Sequence, residues 1–134
     1  MKPKERIVNE LYQSLGKLFY AIAMADKNVR PIEVEELNKN VHTFWLSIDE
    51  VEDEYGTDAA HQIAIVFDWL QQENKEGQQY FDEFVDFYKE HPQKFNDEIK
   101  KLIMKTAYDI ALSFWGANKS ELILLTKLRM LLKI

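Results

Sequence analysis

Asp26 and Glu33 have the strongest claim to chemistry in this chain. They flank the loop Asp26-Lys27-Asn28-Val29-Arg30 and the Pro31 that follows it. Hard cations such as calcium take about six to eight oxygen ligands at roughly 2.3–2.6 Å, and the loop opens in the manner of an EF-hand. The pattern then breaks. Arg30 occupies a ligand position, no central glycine follows, and Leu37 stands where the bidentate glutamate belongs. Two readings are open for the pair. In one, Asp26 accepts from backbone N–H groups of the turn, and Glu33 sits in a first helical turn that favours an anion. In the other, both carboxylates ligate a cation.

The remaining chemistry-bearing residues are scattered. His42, His61 and His91 have no second histidine or carboxylate at a spacing that builds a zinc or di-iron set. His91 falls at the end of a helix, where the dipole favours imidazolium. There is no cysteine, which excludes disulfides, Cys-based zinc sites and thiol nucleophiles. No serine sits in a nucleophile elbow, and no glycine-rich loop could cradle phosphate. The expectation is a protein that is not an enzyme.

Six helices are needed to position these residues, because apolar residues recur at a period near 3.6 from end to end. The first spans about Lys4 to Ala25, with Ile7, Leu11, Leu15, Leu18 and Ile22 as its stripe. The second starts at Pro31, a residue tolerated in a first turn, and fades near Ser47. Its buried face is expected at Val34, Leu37, Val41 and Phe44. Thr57 or Asp58 caps the third helix, lined by Ala60, Ile63, Phe67 and Leu70. The fourth, about Gln78 to Glu90, carries six large apolar residues around more than half its circumference, so it should be central or face a partner. Pro92 ends it. The fifth runs from about Asn96 to Phe114. Ser120 caps the sixth, in which Leu122, Leu125, Leu128 and Leu132 face inward.

At 134 residues with 46% hydrophobic and 13% aromatic content, one packed domain over residues 1–134 is expected. The net charge of −6 is unevenly spread. Between Asn40 and Asn74 there are eight acids and no Lys or Arg. The last sixteen residues carry Lys119, Lys127, Arg129 and Lys133 against Glu121 alone. An acidic balance argues against nucleic-acid binding. The acidic tract is either a solvated loop or a docking surface for a basic partner or cation. No run approaches the roughly 20 apolar residues that span a bilayer, and the polar N-terminus does not resemble a signal peptide, so a cytoplasmic location is expected.

Sliding the chain on itself by 88 positions aligns the first two helices with the last two. Eight of forty positions from Ile7–Leu46 and Phe95–Ile134 are identical, including Tyr20/Tyr108, Ala23/Ala111, Glu33/Glu121 and Leu37/Leu125. No gap is required. The fold expected is therefore an all-α bundle of about six helices, made of two related helix-turn-helix units with two helices between them.

The stretch from Tyr20 to Leu37, with Ala25-Asp26 closing one helix and Glu33 and Leu37 opening the next, resembles the helix-loop-helix signature of TerB-like domains, the tellurite-resistance-associated family. The resemblance implies an all-helical bundle of two such units. It also implies divalent-cation binding by acidic residues from both, which here would be Asp26, Glu33 and Glu121. Two departures stand out: Lys27 replaces the family's usual glycine, and Phe114 occupies the position equivalent to Asp26. The function expected is a non-catalytic TerB-like module for protein interaction or stress response, with a protein partner. The alternatives are a divalent-cation sensor or buffer, and a small-ligand carrier with its pocket among the fourth helix's aromatics.

Overall fold

A computed structural model describes the backbone of residues 3–48, 59–114, 116 and 118–134, and side chains from residue 9 onward within these segments except that of residue 48. The expected cap at Thr57 or Asp58, the acidic stretch from Asp49 to Gly56 and Trp115 lie outside the described residues.

Among the described residues there are six helices and no strand. We label them α1 (Pro3–Ala23), α2 (Pro31–Asn40, continued by a π-helical turn Val41–Trp45 and by Leu46–Ile48), α3 (His61–Gln72), α4 (Gly77–Glu90), α5 (Asp97–Leu112) and α6 (Lys119–Leu132). A 3-10 turn, Pro92–Lys94, links α4 to α5. None of them is long and apolar enough to cross a membrane.

The central element is α1 rather than α4. Leu15, Leu18 and every residue from Phe19 to Ala23 are at most 1% exposed, so this stretch is enclosed on all sides. The helices α3, α4, α5 and α6 all pack against it. Two glycines allow the close approaches. A Cβ on Gly16 would lie 2.7 Å from the Ile63 carbonyl oxygen and 2.9 Å from the Val66 Cβ of α3. At Gly77, the first residue of α4, it would lie 3.3 Å from Ala21 backbone atoms. Tyr80, Phe81 and Phe84 of α4 are buried, with Tyr80 edge-on to Tyr20 and Phe84 edge-on to Phe95. The aromatic set in which the ligand-carrier alternative would place its pocket is thus largely core.

One facing expected from periodicity is corrected, that of Leu122 in α6. In α2, Phe44 packs half-buried against the core with the Lys105 ammonium 4.3 Å from its ring centroid, and Trp45, in the π-helical turn, is fully inside. There the Trp45 indole donates to Thr106 Oγ1 at 3.0 Å and packs against Tyr12 and Phe19. In α6, Leu122 is 49% exposed, and Leu124 is buried beside Leu125, Leu128 and Leu132.

Candidate functional site

The two loops carrying Glu33 and Glu121 meet. After α1 ends, Lys27 takes a left-handed φ of 68°, the conformation glycine would occupy without strain. Asp26 Oδ1 accepts from the Asn28 N–H at 3.1 Å. Arg30 is extended and precedes Pro31, and its N–H donates to Glu33 Oε1 at 2.8 Å. In the second loop Asn118, not Ser120, is the cap. Its Oδ1 accepts from the Glu121 N–H at 2.9 Å, and its own N–H donates to Glu121 Oε1 at 3.0 Å, a reciprocal capping box. Arg30 and Asn118 are 88 positions apart, as are Glu33 and Glu121, so both helices begin in the register found in the sequence.

The contacts between the loops exchange equivalent positions. Asp26 of the first loop binds the cap of the second: Asn118 Nδ2 donates to Asp26 Oδ2 at 2.9 Å. Phe114, the position equivalent to Asp26, holds the cap of the first, with the Arg30 guanidinium 4.3 Å from its ring centroid. One geometry is thus made twice with different chemistry, by a hydrogen bond and by a cation–π contact.

Glu33 and Glu121 lie on the axis of this exchange, 1% and 2% exposed. Burial is the main cause of a rise in the Glu33 carboxyl to about 7. The Arg30 N–H opposes the rise, and the adjacent Glu121 carboxyl adds to it. Burial also pushes Glu121 up, against the hydrogen bond from the Asn118 backbone. Glu121 Oε2 is buried and receives no donor from elsewhere among the described residues. Burial and the neighbouring Glu121 carboxyl both favour the protonated form of Glu33.

Asp26, Glu33 and Glu121 therefore do converge, but they do not fit a hard cation. The Arg30 guanidinium is 2.8 Å from Asp26 Oδ2 and 3.8 Å from Glu33 Oε1, so a positive charge already serves both acids. Three of the six carboxylate oxygens, Asp26 Oδ1, Glu33 Oε1 and Glu121 Oε1, accept backbone N–H bonds. Among the described residues no three His, Cys, Asp or Glu side chains are arranged to hold a metal ion. A cleft of about 250 Å³ opens beside the junction, lined by Arg30, Glu33, Phe114, Asn118 and Glu121. Its groups are held by one another, which suits a clamp between hairpins better than a reaction centre.

Two features escaped sequence reasoning. His42 on α2 and His61 on α3 stand edge-on with ring centroids 6.0 Å apart, a pairing across 19 positions that no helical spacing signals. Beyond them α2 and α3 flank a groove of about 360 Å³. Its floor is Leu37 and Phe67, each 1% exposed, and Ile65 on its rim and Trp69 on the next turn are 56% and 53% exposed. The sequence signal was available in Ile65 and Trp69, which fall off the Ile63–Phe67–Leu70 stripe of α3. No family model, characterised protein or solved structure matches the chain.

Proposed function

We propose that this chain is a non-catalytic, TerB-like helical domain that works by binding protein. The observation that carries the reading is the open groove between α2 and α3, with half-exposed Ile65 on its rim beside an apolar floor and half-exposed Trp69 on the next turn, its ring 5.9 Å from the Lys75 ammonium. Tryptophan is over-represented among residues that dominate binding energy, and an exposed apolar strip next to a groove suits the seating of a helix. The family half of the proposal is supported by the sequence from Tyr20 to Leu37 and by capping at positions 30 and 118, 33 and 121. The internal engagement of Asp26, Glu33 and Glu121 favours a structural role for the acids over cation sensing.

The test is a tagged chain recovered from its own host cells, wild type beside Trp69→Ala and Ile65→Ala. A protein retained by the wild type and lost by both variants is the expected result. A wild type that retains nothing, or variants that retain the same partner equally, would defeat the reading.

A further inference from the structure

A second apolar surface lies on a different helix from the groove. Along the outer face of α6, Lys119, Leu122, Ile123, Thr126 and Lys127 line a shallow depression of about 320 Å³. Met130, 73% exposed, continues it by one turn. Positions 119, 122, 123, 126, 127 and 130 form one helical stripe at the spacing that normally faces a core. Here the stripe faces outward, because α6 packs on α5 and α1 through its other side, with Leu124, Leu125, Leu128 and Leu132.

The two surfaces carry opposite charge. The α6 depression is lined by two lysines and no carboxylate. The groove's one charged lining residue is Asp68, and α3 itself carries no Lys or Arg. Neither surface suits a copy of itself. An antiparallel pairing of two α6 faces centred on Ile123 sets Lys119 against Lys127, and a parallel pairing sets each lysine against its twin. Two grooves face to face bring Asp68 towards a second Asp68. Each surface is better matched by the other in charge, Lys119 and Lys127 against Asp68.

We propose, resting on the protein-binding reading above, that the occupant of the α2/α3 groove is a second copy of this chain. The Ile123–Met130 strip of α6 seats beside Ile65, and Lys127 approaches Asp68. The contact is heterologous, so it propagates head to tail into rings or short chains rather than closing as a two-fold dimer.

Sedimentation of the purified full chain from low micromolar to several hundred micromolar tests this. The weight-average mass is expected to rise above 15.9 kDa with concentration, and less steeply at high salt. Ile65→Lys blocks the groove and Ile123→Asp blocks the α6 strip, so each variant alone stays monomeric. Mixed, they form a 1:1 dimer and nothing larger, because one intact groove meets one intact strip. Should either variant fold poorly, the charge-swapped pair Lys127→Glu and Asp68→Lys gives a second readout: each weakens association alone, and the mixture restores it beyond a dimer, because both contacts are again complementary. A wild type that is monomeric throughout overturns the proposal, as does association that neither variant reduces. A mixture that fails to combine overturns it too, because it indicates a two-fold contact. A monomeric wild type that still retains a Trp69-dependent partner from cells defeats the second-copy inference alone, whereas loss of both results removes the protein-binding reading.

Discussion

Replacing Glu33 with glutamine isolates the energetics of the buried carboxyl pair. Burial lifts the Glu33 carboxyl from its ordinary 4.5 to about 7, so the folded chain holds the proton more tightly than the unfolded chain does. The stability this contributes is complete below about pH 4.5 and is lost as pH rises through about 7. Ionising Glu33 in the folded chain costs on the order of 3 kcal/mol. Glutamine keeps the Oε1 acceptor for the Arg30 N–H and cannot ionise beside Glu121. Glu33→Gln should therefore match the wild type within about 1 kcal/mol at pH 5 and exceed it by about 2–3 kcal/mol at pH 8.5. In a chain of this length that is a Tm increase of roughly 6–12 °C at the higher pH. Urea denaturation of both proteins at the two pH values measures the difference directly, and comparing variant with wild type cancels the other titrating groups. Equal destabilisation of the variant at both values would refute the raised Glu33 carboxyl, as would a difference that does not grow with pH.

Four further outcomes follow from the same geometry. Gly16→Ala should destabilise by about 1–3 kcal/mol despite alanine's better helix propensity, because the Ile63 carbonyl is a backbone atom that cannot withdraw; a neutral result by chemical denaturation removes the close α1–α3 approach. Asn118→Ala should cost about 1–2 kcal/mol, whereas Ser120→Ala stays within roughly 0.5 kcal/mol, and the reverse order in thermal melts would restore Ser120 as the cap. Lys27→Gly should stabilise by about 0.5–1 kcal/mol by relieving the left-handed φ, and a loss of stability would place that strain elsewhere. Calcium, magnesium, manganese and zinc should leave Tm unchanged at neutral pH, since Arg30 already neutralises the acids; a Tm rise that depends on metal concentration and disappears in Glu121→Gln would revive the cation reading.

Much of this molecule was legible locally. The six helices, the Pro31 start of α2, the Asn96 start of α5 and the shared register of Glu33 and Glu121 follow from periodicity and capping, which act over a few residues and leave their mark there. Leu122 was misplaced because a helix shows which residues share a face but not which face meets the core; the docking of α6 on α5 decided it. The pairings Asp26–Asn118, Arg30–Phe114 and His42–His61 were beyond sequence reasoning. Each joins segments far apart along the chain, and the contact exists only once packing around α1 has fixed how the hairpins and α3 are oriented. The raised carboxyls of Glu33 and Glu121 have the same origin, because they leave their ordinary range only where the fold buries them together.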